Sequence, residues 1–298
     1  MQSNFITRIL RISPLLALST ILILGTNGCN SQSQSPSQSS SQTSSQSQTQ
    51  ATIKLGGSSS AIGLLKTLTD SYSLKTPSTT LDLLEPGQSE NLIAGVKQKI
   101  LDIAAISKKL TPEENDGSLV FQEIAHDALL VATHESVKGI TGLTTDQLKN
   151  IYSGKVMNWK ELGGPDAPIV VLDRPEDESA KKLLRKHYLG KDLKNADSAI
   201  ILRKEGELIQ ALKNTPNSIG AFSLAHAISN KLPVNRLSLD NITPNTETVK
   251  NGTYKMVRTI GLISHKSPSA ATQELMLYIG GAEARQVLEA SGYVAISK

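Results

Sequence analysis

The sequence predicts an α/β body with a largely parallel sheet, carried behind an export signal and a polar tether. Three observations lead there. The chain opens with two arginines, an apolar run and a cluster of small residues; a long stretch of serine and glutamine follows; and strand-like and helix-like segments then alternate to the end of the 298 residues. Strands alternating with helices are the pattern of a sheet covered by crossover helices. A chain of this size is expected to fold as two lobes with ligand between them.

The N-terminal segment comes first. Arg8 and Arg11 are its only charges, Pro14–Leu24 is apolar, and Gly25-Thr26-Asn27-Gly28-Cys29 closes it. Basic, apolar and small residues in that order mark a secretory signal, residues 1–28. Its apolar run is too short for a bilayer span, which needs about 20 residues. Cys29 is the only cysteine, so neither an internal disulfide nor a cysteine metal cluster can form. Its position at the end of the signal is that of a lipid-acceptor cysteine in a bacterial lipoprotein; the alternative is a free thiol on a secreted protein. Residues 31–50 contain only Ser, Gln, Thr and one Pro. Such a stretch buries no apolar area and is expected to be a disordered linker, with 51–298 the folded body.

Within the body, Ala51–Leu55 reads as a strand, and Ile62, Leu65, Leu68 and Tyr72 recur at helical spacing. Thr79–Leu84 is a strand and Ser89–Lys97 a helix. Ile100–Ile106 is a strand buried on both faces, apolar but for Asp102. Phe121–Thr133 is a long extended segment, Thr145–Tyr152 a helix, Ile169–Leu172 a strand and Glu178–Tyr188 a helix. Glu207–Lys213 (helix), Ile219–Ser223 and Thr259–Ser264 (strands), and Ser269–Tyr278 and Glu283–Ala290 (helices) complete the pattern.

Composition removes several functions. The formal charge is +4, falling to +2 without Arg8 and Arg11, and the basic residues form no contiguous run, so nucleic acid is not expected as a partner. Ten aromatic residues are too few for the stacking platforms that sugars or single-stranded bases require. The five histidines lack metal-ligand spacing, and neither a G-x-S-x-G motif nor a P-loop is present. Ser179-Ala180-Lys181-Lys182 fits the S-x-x-K pattern of serine acyl-transfer enzymes, but neither S-D-N nor K-T-G follows it. The expectation is a protein that is not an enzyme and carries no cofactor or metal.

Three strand-to-helix junctions remain as candidate sites. Gly57-Ser58-Ser59-Ser60 and Pro86-Gly87-Gln88-Ser89 each open a helix with hydroxyls, and Arg174 follows a strand just before Ser179. A helix N-terminus presents unpaired N–H groups and the positive end of a dipole, which makes it an anion cradle. Equally, one serine of each group can be an ordinary helix cap. Asp102 must find a hydrogen-bond donor or lie at its strand's end, and an acceptor of neighbouring backbone N–H groups is the plain reading.

Residues 143–174, LTTDQLKNIYSGKVMNWKELGGPDAPIVVLDR, resemble the phosphate-binding proteins of bacterial phosphate ABC transporters, whose second lobe has a helix, "G-K-x-x-N-W", "G-G" and a strand ending in Arg. Asn241–Arg258 and the closing segment with Gly292-Tyr293 are similar to the same family. The resemblance implies a two-lobed type II periplasmic-binding-protein fold, each lobe a mixed sheet flanked by helices. It puts lobe 1 at about 51–132 plus 250–298, lobe 2 at about 133–249, and the hinge near 130–135 and 245–260. It further implies capture of phosphate or a related oxyanion by Ser58, Ser59, Ser89, Asp102, Arg174 and Ser179, with Asp102 accepting a proton from the anion. The partners so implied are an ABC permease and, through Cys29 alone, the membrane; the protein is expected to act as a lipid-anchored monomer on the outer side of the plasma membrane. Two departures bear on the ligand: Pro175-Glu176-Asp177-Glu178 stands where the family has Gly-Ser-Gly-Thr, and Glu90 stands in place of Gly. Two or more of these acids lining the cleft would favour the alternative, a surface sensor or interaction protein on the same fold that no longer binds phosphate.

Overall fold

The computed structural model describes residues 51–296; the signal, Cys29 and the Ser/Gln segment lie outside the described residues. In chain order the elements are β1 (Ala51–Gly57), α1 (Ile62–Ser73), β2 (Thr79–Leu83), α2 (Ser89–Lys97), β3 (Ile103–Ile106), β4 (Leu119–His134), β5 (Gly142–Leu143) and α3 (Thr145–Tyr152). A short 3-10 turn, Trp159–Leu162, leads to β6 (Val170–Asp173), α4 (Ser179–Leu184) with a wider final turn Arg185–Leu189, β7 (Ile200–Ile201), α5 (Glu205–Asn214), β8 (Ser218–Ser223) and α6 (Leu224–Ser229). Then come β9 (Val234–Arg236), β10 (Ser238–Leu239), α7 (Thr246–Lys250), β11 (Val257–His265), α8 (Ala270–Ile279), α9 (Ala282–Ala290) and β12 (Val294–Ala295).

The main sheet runs β2-β1-β3-β11-β4-β8-β6-β7, with β9 and β12 also paired to β4. It is mixed, not largely parallel. β1 is parallel to β2 and β3, and β6 to β7 and β8, but β4 and β11 enter antiparallel to their neighbours. Local pattern cannot reveal this, because a strand buried on both faces reads alike in either direction. β4 is 16 residues, about 50 Å of extended chain, and serves both ends of the sheet. Residues 119–128 pair with β11 and residues 129–133 with β8.

Apolar burial follows that division. At one end Ile53, Leu55, Ile260 and Leu262 pack beneath Leu64, Leu65 and Leu68 of α1 and Leu275 and Leu288 of α8 and α9. Leu92, Ile93 and Val96 of α2 cover the opposite face with Leu101, Ile106 and Ile263. At the other end Leu130, Leu172, Phe222 and Ile219 form a core with Trp159, Leu148, Leu184, Leu208 and Leu212. The spacing of apolar residues in α1, α2 and α5 is what commits each of these faces to the sheet. No helix among the described residues is long and apolar enough to cross a membrane.

Candidate oxyanion site

β1 and β3 are parallel neighbours, so the loops at their C-terminal ends lie together. The first, Ser58-Ser59-Ser60, turns into α1; the second begins at Ser107. Ser58 extends the ladder, its N–H donating to Ala105 O at 2.9 Å, and it bridges to Gly87 at the start of the α2 junction. Gly57 is required here for space: a Cβ on it would stand 2.8 Å from Ile62 Cδ1 and 2.9 Å from Ile62 Cα. Those loops, the α2 junction and the start of α4 surround a cavity of about 610 Å³.

Four serine hydroxyls converge in it. Ser60 Oγ lies 2.7 Å from Ser107 Oγ, 3.4 Å from Ser58 Oγ and 3.4 Å from Ser179 Oγ, while Ser107 and Ser179 are 3.4 Å apart. None of these serines caps a helix. The N-cap positions of α1, α2 and α4 are Ala61, Gln88 and Glu178, and none makes a side-chain capping bond. Away from the cavity, α3, α6, α7 and α8 are capped by Thr144, Ser223, Asn245 and Ser269. The three helix starts at the cavity thus keep their first N–H groups free of side-chain acceptors, the condition for holding an anion.

Arg174 leaves the end of β6 and runs, buried, behind the hydroxyls. Its Nη2 donates to Ser59 Oγ at 3.0 Å and to Glu178 Oε2 at 2.8 Å. Its Nε and Nη1 are buried with no hydrogen-bond partner among the described residues. Buried guanidinium donors are costly unless something accepts from them, so that edge of Arg174 is suited to an anion.

Three of the four departing acids line the cavity: Glu90, Asp177 and Glu178. Each is matched. Glu90 meets Lys108 at 3.2 Å, Asp177 meets Arg203 at 3.1 Å, and Glu178 is held by Arg174. The Arg203 hydrogen bond holds the Asp177 carboxyl below its ordinary pKa. Burial works against the Lys108 ammonium, yet Glu114 and Glu90 together keep its pKa above the usual lysine value. Glu176 turns outward to Arg185 at 2.6 Å.

Arg258 of β11 also reaches the cavity. It is tied to Asp127 of β4 at 2.7 and 3.0 Å and to Glu205 of α5 at 2.8 and 3.0 Å, all three buried. Burial pushes the Asp127 carboxyl up, whereas Glu205 is drawn below its ordinary value by Arg258 in spite of burial. This group joins the two long strands to the start of α5 where the sheet passes from one core to the other.

Of the residues expected at the site, Ser58, Ser59, Ser89 and Ser179 line the cavity and Arg174 stands directly behind it. Asp102 does not. β3 begins only at Ile103, and Asp102 sits before it, accepting from Lys54 N at 2.8 Å. Lys54 and Ser58 are four residues apart on an extended chain, so the carboxylate is about 13 Å from the hydroxyls, at the wrong end of the strand. The plain reading of Asp102, an acceptor for a backbone N–H, describes what it does. Sequence reasoning includes Ser60 only as part of the first junction and misses Ser107, Lys108 and Arg258. Ser107 was findable, because in parallel sheets ligands meet the C-terminal ends of strands, the end at which Ser107 sits. The S-x-x-K pair is not assembled for catalysis: Ser179 Oγ faces Ser60 and Ser107, and no Lys182 hydrogen bond reaches it.

Residues 42–283 match the model of a PBP superfamily domain. The chain belongs to the PBP superfamily. Among curated relatives of this PBP-superfamily chain is the phosphate-binding protein PstS of Borreliella burgdorferi, 27% identical over 252 residues that cover 82% of this chain and 90% of that one. PstS of Bacillus subtilis is 22% identical, covering 80% and 79%. A Clostridium perfringens crystal structure solved with bound phosphate superposes with a TM-score of 0.71 at 24% identity, over 83% of this chain and 100% of that one. That likeness bears out the expected fold of paired α/β halves with a mixed central sheet.

Proposed function

We propose that this protein captures phosphate, or an oxyanion of the same tetrahedral form, outside the cytoplasm and hands it to an ABC transporter permease without covalent chemistry. The observation that carries this reading is the convergence of four serine hydroxyls and three helix starts lacking side-chain caps, with the half-satisfied guanidinium of Arg174 behind them. Hydroxyls, backbone N–H groups and one planar cation make a donor set for a tetrahedral anion. The phosphate-binding names of the relatives support the same ligand.

In this reading lobe 1 comprises about 51–132 and 250–298, lobe 2 about 133–249, and the anion is held between them by Ser58, Ser59, Ser60, Ser89, Ser107, Ser179 and Arg174. Ser60 and Ser107 come from the first lobe and Ser179 from the second, so a ligand that accepts from all three favours closure. The signal at 1–28, acylation of Cys29 and the Ser/Gln linker would tether a monomer at the membrane surface.

A second reading has one observation in its favour: Glu90, Asp177 and Glu178 line the cavity. With Glu178 on Arg174, the cleft would reject phosphate and the protein would act as a sensor or interaction partner. Calorimetric titration of ligand-stripped protein with phosphate and then sulfate separates the two. Micromolar or tighter phosphate binding that is lost in Arg174→Ala supports capture. No heat from folded protein with either anion supports the second reading.

A further inference from the structure

Beside the serine cavity, on the outer flank of α4, lies a second groove of about 420 Å³, lined by Lys182, Arg185, Lys186, Gly190, Lys191 and Glu176. Its one acid is spoken for. Glu176 accepts from Arg185 Nη2 at 2.6 Å and Nε at 3.1 Å, which cancels one cation against one anion. Lys182, Lys186 and Lys191 are exposed and enter no ion pair among the described residues, so the groove carries an excess of three positive charges. Without Arg8 and Arg11 the whole chain has a surplus of only two, so this concentration is local. The neighbouring His187 feels it: burial, then Lys186 and Lys255, hold the imidazole below its ordinary pKa.

The groove has a connection that an ordinary solvated lysine cluster lacks. Lys182 lines both cavities. Inside the serine cavity the other cations are engaged, Lys108 by Glu90 and Glu114, Lys109 by Glu123 and Arg258 by Asp127 and Glu205, which leaves Lys182 as the cation there without an ion-pair partner among the described residues. Lys182, which has only the more distant Asp177 carboxylate acting on it, thus stands between the groove and Ser179, three residues earlier on the same helix. Clefts lined by charge of one sign raise the local concentration of the opposite ion and its association rate.

We propose that this groove is an outer collecting site for the oxyanion, which it gathers from solvent and passes across Lys182 into the serine cavity. The inference rests on the capture reading above and adds to it a route of entry and the residues that set its rate. Because Lys186 and Lys191 line the groove and not the serine cavity, removing them should slow arrival without speeding release, so Kd rises in proportion to the loss of association rate.

The test uses the full chain, inorganic phosphate and the double variant Lys186→Gln, Lys191→Gln. Calorimetry gives Kd, release of radiolabelled phosphate into excess unlabelled phosphate gives the dissociation rate, and their ratio gives the association rate. At 10 mM salt, where charges act over about 30 Å, the double variant should associate roughly tenfold more slowly with an unchanged dissociation rate. At 1 M salt, where that reach falls to about 3 Å, it should match the parent. A charge-matched control, Lys138→Gln with Lys266→Gln on other loops, should behave as the parent. An unchanged association rate in the groove variant, or an equal loss in the control, overturns the inference while leaving phosphate capture standing. A parent chain that binds no phosphate removes the capture reading, and the groove's role with it.

Discussion

Glu178→Gln isolates the acid that, among the described residues, contacts the guanidinium at the candidate site. The Glu178 carboxylate is buried 2.8 Å from Arg174 Nη2, and the remaining Nε and Nη1 edge is buried with no hydrogen-bond partner among the described residues. An anion on that edge would sit about 7 Å from the carboxylate, and at an effective dielectric of ~20 two unit charges at that distance repel by about 2 kcal/mol, roughly thirtyfold in affinity. Glutamine keeps an acceptor for Nη2 and removes the charge. The variant should therefore bind phosphate and sulfate about thirtyfold more tightly by calorimetry. It should also melt at a lower temperature without ligand, because breaking a buried pair leaves Arg174 without a counter-ion, a loss of up to about 3 kcal/mol. Saturating anion should restore the melting temperature beyond that of the parent. Affinities unchanged for both anions would refute the electrostatic reasoning. Phosphate binding weakened while sulfate binding strengthens would refute it differently, by showing that Glu178 accepts a proton carried by phosphate.

Asp102→Asn should leave anion affinity within twofold and cost about 1 kcal/mol of stability in urea unfolding, since the carboxylate serves Lys54 N and not the cavity. Arg258→Met strands Asp127 and Glu205 in the interior and should destabilise the body by about 3–5 kcal/mol, read as a shift of the urea midpoint. Burial holds His226 below its ordinary pKa, so the unfolded chain binds a proton that the folded chain resists. That contribution is complete above about pH 6.5 and fades as pH falls through the lower folded value; His226→Gln should flatten this part of the stability–pH curve. Gly57→Ala drives a Cβ against the Ile62 backbone, so it should cost about 1–3 kcal/mol and weaken phosphate binding by displacing the start of α1.

Element type was well marked in the sequence wherever a long apolar stripe existed. Ser89–Lys97 and Thr145–Tyr152 are helices with the bounds their spacing implies, and the segment read as Phe121–Thr133 is β4 with two residues added before it and one after. Short pairings such as β5 with β10 escaped, because two residues carry no period. Within the candidate site the serine loops and Arg174 are legible through their junction chemistry, whereas Asp102 enters the expected site through the family resemblance alone. Position along the chain does not say which end of a strand faces the ligand. The onset of β3 at Ile103 decides it, since Asp102 and Ser107 then stand at opposite ends of the strand.

What the sequence determined alone was local: which stretches are apolar enough to be buried, where hydroxyls and glycines open helices, and that no cysteine pair can staple the chain. The tertiary structure decided every relation between distant residues. It set the antiparallel entry of β4 and β11, the meeting of Ser60 and Ser107 with Ser179, and the closing of Glu178 on Arg174 and of Asp127 and Glu205 on Arg258. Charges close to one another in space need not be close in sequence, and whether an acid cancels a cation depends on a few ångströms that only the packed sheet fixes.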